Sequence, residues 1–296
     1  MAKLNIDPIV KDDILEFLDQ NSDFAFELKT LKLLNSLEFD CQHCGSYIDD
    51  NTKKIREFDI RASKLIHPRT LRLAVECKNL QSNFPLHICC VPREEKESTN
   101  NLVISVDPNS YSAFKGDPLD GYHDSHFRTF EVEGEKSLYP INQPVGKSSE
   151  QIGKNAHDKS IISSDHGIYE RWAQALSSAD DLLQDAIHSG EKSDRGIDIS
   201  LILPILVVPD GTLWVTSFDH QGNVISEPSQ ANRCSYFVDR NYDPGILTRN
   251  EFKISHLEIV TLSGLEKLID EIIGNNDKLN SSFPLGREFQ EIKNIG

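Results

Sequence analysis

Asp59, Glu76 and Lys78 are the residues whose types and spacing suit chemistry at a phosphate. They stand on two strand-like runs, 55–62 and 71–78. Successive strand residues point to opposite faces. Phe58, Ile60 and Ala62 therefore share one face of the first run, and Glu57, Asp59 and Arg61 the other. In the second run Leu71, Leu73, Val75 and Cys77 point one way, and Arg72, Ala74, Glu76 and Lys78 the other. Pairing the runs with both apolar faces in a core puts Asp59, Glu76 and Lys78 on the same side. Two carboxylates there hold a divalent cation through hard oxygen ligands. A neighbouring lysine, a compact cation with mobile donors, steadies a phosphate or an attacking water. The plainer alternative is a solvated sheet face carrying a Glu76–Lys78 or Asp59–Arg61 ion pair.

These strands need supporting elements. An amphipathic helix is expected over 7–20, with Ile9, Ile14, Leu15 and Leu18 apolar, and Asn21-Ser22-Asp23 breaks it with good capping chemistry. A second helix is expected over 24–37, with Phe24, Leu28, Leu31 and Leu34 as its buried stripe. Glu27 lies on the edge of that stripe. A carboxylate placed there needs a partner, and a metal, a metal-bound water or a core lysine would each serve. A first strand is expected over 38–47 and a turn at Asp49-Asp50-Asn51; His67-Pro68-Arg69 falls in the loop before the Glu76 strand.

Asp59, sixteen residues, then Glu76-Cys77-Lys78 resembles the D…E-x-K signature of the PD-(D/E)xK, restriction-endonuclease-like nucleases. The order of helix, strand, turn, Asp-strand and ExK-strand over 23–80 strengthens the resemblance. Phe58 stands where the motif name has proline. The resemblance implies an α/β, restriction-endonuclease-like core with a mixed central sheet flanked by helices. It implies that Asp59, Glu76 and the backbone carbonyl of Cys77 hold Mg²⁺ or Mn²⁺. Glu27 would contact the ion directly or through water, and Lys78 would position the nucleophilic water. Cys77 faces the core in this arrangement, so its thiol is no nucleophile.

A chain of 296 residues buries a substantial core. Its net charge of −16 is unfavourable for binding nucleic acid, but the charge is uneven. Between 53 and 78, eight basic residues (Lys53, Lys54, Arg56, Arg61, Lys64, Arg69, Arg72 and Lys78) face three acidic ones. A basic stripe beside the carboxylates fits a phosphodiester substrate; a solvated hairpin is the plainer reading. No apolar run approaches the ~20 residues of a spanning helix, and the first residues carry no hydrophobic signal core. A cytoplasmic protein with no membrane partner is expected. Six cysteines without framework spacing are expected to be reduced. Cys41-x-x-Cys44 with Cys89 and Cys90 is a weak candidate for a four-thiolate zinc site.

Further along, 86–91 reads as a buried strand and 92–146 as an irregular insertion with strands at 102–106 and 127–132. The histidines of His123-Asp124-Ser125-His126 read as ordinary loop residues. Gly146-Lys147-Ser148 is not a phosphate loop, because position 141 is Ile rather than Gly. The stretch 145–154 resembles a post-motif helix of such nucleases, with Lys147, Gln151 and Lys154 facing the substrate backbone. A long helix over 165–188 has the stripe Ile168, Trp172, Ala175, Leu176, Ala179, Leu183 and Ile187, stopped by Gly190. The nearly all-apolar 199–208 is a central-type strand, which Pro204 makes irregular or edge-adjacent. Asp210-Gly211 turns it into 212–218. Strands over 234–238 and 254–261, a helix over 265–273 capped by Ser263, and a polar tail over 274–296, docked through Phe283, Leu285 and Phe289, complete the chain. The whole is expected to be one elaborated domain, with extra C-terminal strands, spanning 1–296. Within it the motif-bearing part is 23–92, the insertion 92–146 and the remaining sheet and helices 147–273.

The function expected is metal-dependent hydrolysis of nucleic acid, DNA above RNA, by an endonuclease of restriction or defence type. Cutting both strands favours a homodimer. Lys53, Lys54, Arg56, Arg61, Arg72, Lys147, Gln151 and Lys154 are the expected nucleic-acid contacts. The alternative is a non-catalytic nucleic-acid-binding or regulatory module of a larger assembly, to which the acidity points. A weaker one is a protein-interaction domain using the 165–188 helix.

Overall fold

A computed structural model describes residues 7–20, 22–49, 53–66, 68–107, 127–164, 166–194, 196–242 and 252–284. In chain order the elements are α1 (Lys11–Gln20), α2 (Phe24–Ser36), β1 (Asp40–Ile48), β2 (Ile55–Ile66), β3 (Arg69–Cys77), β4 (Leu86–Pro92), β5 (Thr99–Val106), β6 (Phe127–Glu133), β7 (Pro144–Lys154) and β8 (Ile161–Ser164). There follow α3 (His166–Ile187), α4 (Ser189–Lys192), β9 (Ile197–Val208), β10 (Leu213–Phe218), β11 (Val224–Gln230), β12 (Arg233–Tyr242), β13 (Phe252–Thr261), α5 (Leu262–Ile269) and α6 (Asn276–Ser282). A π-helical turn, Asp270–Gly274, extends α5.

The other strands gather around β9. Its sequence IDISLILPILVV is apolar almost throughout, and each of its residues is buried, as a strand covered on both faces requires. One edge of β9 pairs in parallel with β3 from Ile199 to Val207. The other edge is shared: β5 takes Ile197 to Leu201 antiparallel, and β13 takes Ile205 to Val208 in parallel. Pro204 falls in the gap between those two partners, where a missing N–H forfeits no ladder bond. The expectation of an edge-adjacent strand is therefore corrected; the proline sits mid-sheet at a handover. The sheet runs β1-β2-β3-β9-β13-β12-β7-β4-β10-β11, with β5 on β9, β6 on β5 and β8 on β7. The fold is α/β, with a large mixed sheet flanked by helices.

The two faces of β9 bury different helices. Ile199, Leu201, Leu203, Ile205 and Val207 pack with Phe26 and Leu34 of α2, Leu265 and Leu268 of α5, and Phe283. Ile202 packs with Leu176, Ala179 and Leu183 of α3, and Leu206 with Ile168 and Ala175 of the same helix. The α3 stripe is thus core. Gly264, near the start of α5, lies so close to β12's lead-in that a Cβ would come 1.8 Å from the Asn232 carbonyl oxygen. That oxygen already accepts the Thr261 amide, so it cannot give way. Gly264→Ala is expected to cost about 3 kcal/mol by forced overpacking, read from the urea midpoint; a loss below about 0.5 kcal/mol would mean that α5 docks less tightly than this.

Several expectations are corrected. The stretch 145–154 is strand β7, not a helix. Two glycines and a serine pair favour neither helix propensity nor an apolar stripe, and Gly146 lets Ile88 and Tyr236 approach closely enough to touch a Cβ. In α2 the buried residues are Phe26, Glu27, Thr30 and Leu34, whereas Phe24 and Leu28 are exposed. The helix is rotated so that Glu27 faces inward. The Asp210-Gly211 turn forms, with Gly211 at φ 81°, but β10 pairs in parallel with β4 rather than folding back on β9. Thr261, not Ser263, caps α5, accepting the Gly264 amide at 3.1 Å. The apolar residues Ile9, Ile14, Leu15 and Leu18 are exposed, and α1 begins at Lys11. The tail contains α6, and Phe283 is fully buried; Leu285, Phe289, His67, Asp50, Asn51 and residues 108–126 of the insertion, the stretch 123–126 among them, lie outside the described residues.

Candidate active site

The site lies where β2 and β3 reach the N-terminal end of α3. The β2–β3 register, Ile60↔Val75 and Arg61↔Ala74, sets Asp59 opposite Glu76. One Asp59 oxygen accepts the Cys77 amide at 2.7 Å, which fixes the carboxylate over the end of β3. Lys78 continues from β3, its amide donating to the Val207 carbonyl at 2.9 Å. Asp59, Glu76 and Lys78 are thereby brought to one end of the sheet.

The carboxylate face is not open sheet. α3 covers it, and Arg171 reaches from that helix among the acids. Its guanidinium lies 3.5 Å from Asp59, 3.5 Å from Glu76 and 2.8 Å from Asp23. Asp23 also accepts from Lys78 Nζ at 2.9 Å and from the Asn79 amide at 2.8 Å. Asp23 thus joins the site instead of capping α2, for which it makes no side-chain bond. Neither Asp23 nor Arg171 was legible as a site residue. Asp23 read as a helix cap, and Arg171 is one polar residue of an amphipathic helix far along the chain.

Glu76 is 1% exposed, and neither carboxylate oxygen has a hydrogen-bond partner. Burial first, and the Asp59 charge second, push its pKa well above the usual carboxylate range. Burial also raises Asp59, opposed by the Cys77 amide and by Arg171. Burial alone would lower Arg171, but Asp59, Asp23 and Glu76 outweigh it and raise the guanidinium. Cys77 is fully buried, and burial holds its thiol far above the ordinary range, so it is no nucleophile.

Glu27 is turned elsewhere. Its Oε2 lies 3.2 Å from His43 Nε2 and 3.7 Å from Cys44 Sγ, both on β1. Among the described residues, the oxygens of Glu27, Asp59 and Glu76 do not form a group within 4.8 Å of one another, whereas Glu27, His43 and Cys44 do.

The basic stripe is dispersed into structural pairs. Arg61 is buried and donates to Ser178 and Asp181 of α3, stacked over the Phe58 ring. Arg69 pins the C-terminal segment through the Phe283 carbonyl and Asn280. Arg72 bonds Ser200 and pairs with Asp198, and Lys64 donates to the Leu37 carbonyl. Lys53, Lys54 and Arg56 stay exposed, Arg56 at 3.9 Å from Asp49. On β7, Lys147 pairs with Glu97, and Gln151 is buried on the Phe84 carbonyl; Lys154 is exposed. Arg61 and Gln151 are buried and Arg72 half-buried, whereas Lys147, though paired with Glu97, is exposed.

The four-thiolate zinc site does not form. Cys41 and Cys44 are on β1, at one end of the sheet path, and Cys89 and Cys90 on β4, seven strands away along it. Cys90 instead faces Cys234 at 3.5 Å.

Comparison with protein-family models, curated proteins and solved structures gives no match to this chain. Among the described residues, no helix is long and apolar enough to cross a membrane.

Proposed function

We propose that the chain is a metal-dependent nuclease hydrolysing phosphodiester bonds, most simply in DNA, with Asp59, Glu76 and Lys78 at its centre. The observation that carries this reading is Glu76: a buried carboxylate whose oxygens accept no hydrogen bond and that has an ion pair with Arg171 at 3.5 Å, facing Asp59 at the end of the ExK strand. Hard oxygen atoms that accept no hydrogen bond suit Mg²⁺ or Mn²⁺. Three carboxylates, Asp23, Asp59 and Glu76, stand against two cations, Arg171 and Lys78, which leaves a net negative charge for a cation to meet. The helix followed by a strand meander, α2 and β1 to β3, also supports a restriction-endonuclease-like core.

Asp59, Glu76 and the Cys77 carbonyl would hold the ion, which when bound supplies a more acidic water and a polarised phosphoryl oxygen. Asp59 is oriented for this by the Cys77 amide. Asp23 holds Lys78 Nζ beside the carboxylates, where the ammonium orients water and offsets developing negative charge. Arg171 neutralises the acids between turnovers and must yield part of that role as the site loads.

A second reading is a nucleic-acid-binding or regulatory module that does not cut. Arg171 among the acids favours it, since a guanidinium already satisfies part of their charge. The cleavage assay separates the two. Supercoiled plasmid, linear duplex, single-stranded DNA and RNA are incubated with Mg²⁺, Mn²⁺ or EDTA, alongside Asp59→Ala and Lys78→Ala. Metal-dependent cutting by the native chain, lost in both variants, is expected. Salt-sensitive binding with no cutting of any substrate would give the second reading instead.

A further inference from the structure

We propose that Glu27, His43 and Cys44 bind a zinc-class transition-metal ion through Oε2, Nε2 and Sγ, with one coordination position left open to solvent. The inference stands apart from the nuclease reading, which uses neither His43 nor Cys44.

The three donor atoms form a small triangle. Oε2 to Nε2 is 3.2 Å, Oε2 to Sγ is 3.7 Å and Sγ to Nε2 is 3.1 Å. A tetrahedral ion with bonds of the usual Zn–N, Zn–O and Zn–S lengths separates its ligands by about 3.3 to 3.7 Å. The side chains already stand at nearly that spacing. Without an ion, Nε2–H and the thiol both donate toward the one carboxylate oxygen. A cation faces all three lone pairs at once.

The backbone is arranged to produce the triangle. Neighbouring strand residues normally point to opposite faces, so His43 and Cys44 should diverge. Cys44 has φ 54°, in the left-handed region. A non-glycine residue is held there only when its surroundings demand it, and such residues cluster at functional sites. The turn at Cys44 brings Sγ back to His43. On the other side, Glu27 is 8% exposed and pointed at β1 by the rotation of α2 that leaves Phe24 and Leu28 outside.

The donor set decides the class of ion. One thiolate, one imidazole and one carboxylate favour zinc and its neighbours over Mg²⁺ or Ca²⁺, which prefer oxygen alone. Cys44 is exposed and His43 partly so. The fourth position therefore faces water, the pattern of three protein ligands plus an open site. Thiol ionisation accompanies binding, the proton leaving to solvent.

The test is Co²⁺ binding to the full reduced chain, followed by Zn²⁺ competition against a coloured chelator. One equivalent of Co²⁺ is expected to give a thiolate-to-cobalt charge-transfer band, bleached by Zn²⁺. Cys44→Gly is expected to abolish the band while raising the Tm, because glycine accepts φ 54° freely; this separates ligand loss from misfolding. His43→Ala is expected to weaken Zn²⁺ at least about 10-fold. Cys41→Ser, on the same strand but outside the cluster, and Asp59→Asn should bind as the native chain does. No thiolate band in the native chain, or a band that survives Cys44→Gly, overturns the proposal. Because binding alone is read, an inactive nuclease site would leave this result intact.

Discussion

Arg171→Met is expected to destabilise the metal-free chain by about 3 kcal/mol, the cost of removing one partner from a buried charge cluster. Methionine keeps much of the arginine stem's packing volume, so the loss isolates the charge. Asp23, Asp59 and Glu76, each largely buried, would then lose the guanidinium they share, and of the three Asp23 keeps its pair with Lys78. The same variant is expected to gain more stability than the native chain from added Mn²⁺ or Mg²⁺. An ion binding only the folded state stabilises it by mass action, and in the variant no guanidinium competes for the carboxylates. Thermal unfolding of both chains across a metal titration gives the answer. Equal metal-induced shifts, or none in either chain, would mean that these acids do not take up a cation and that Arg171 is their permanent partner.

Glu76→Gln is the second large effect, and its sign depends on pH. The unfolded carboxyl releases its proton near its ordinary value of 4.5, whereas the folded one holds it well above that. Between those two values the native state binds more protons than the unfolded state, so stability falls as pH rises. Below the unfolded pKa there is no penalty, and above the folded pKa the loss is complete and constant. Glutamine cannot ionise. The variant should match the native chain in acid and exceed it at about pH 8 by roughly 1–2 kcal/mol, the cost of leaving a buried charged group unsatisfied. Urea midpoints across the pH range test this, the difference between the chains cancelling every other titrating group. Under the proposed function the same substitution also removes cleavage. A native chain no less stable than the variant at high pH would show that Glu76 is satisfied in solution.

The legible parts of this protein were those where local pattern and tertiary environment agree. Strict alternation gave β2 and β3 and put Asp59 and Glu76 on one side. The apolar run of β9 announced a strand covered on both faces, and the 3.6-residue stripe of α3 announced a buried helix. What stayed hidden depends on distant partners. Arg171 is an ordinary polar residue until α3 is laid over β2 and β3. The basic residues of 53–78 looked like a surface stripe, but Arg61, Arg69 and Arg72 find carboxylates, hydroxyls and carbonyls supplied by the second half of the chain. Glu27 could be seen to need a partner; that the partner was His43 and Cys44 required a left-handed cysteine, which no sequence pattern signals. β7 was misread because a family resemblance outweighed its two glycines, and β11 was missed because each of its residues is exposed.

The pairing of β3 with β9 also sets an order of events in time. Thr70 and Asp198, hydrogen-bonded across these strands, are 128 residues apart in the chain. The Glu76 strand therefore has no neighbour on that edge until more than half of the polypeptide has been synthesised. Closing so long a loop is slow, and folding dominated by such separations is slow in turn. On the ribosome, α2 and the β1–β3 meander would emerge with one edge bare and with the carboxylates still in water. Pulse-labelled hydrogen exchange during refolding should find the amides of β3 and β9 gaining protection together, and only then a protein with anything to bind.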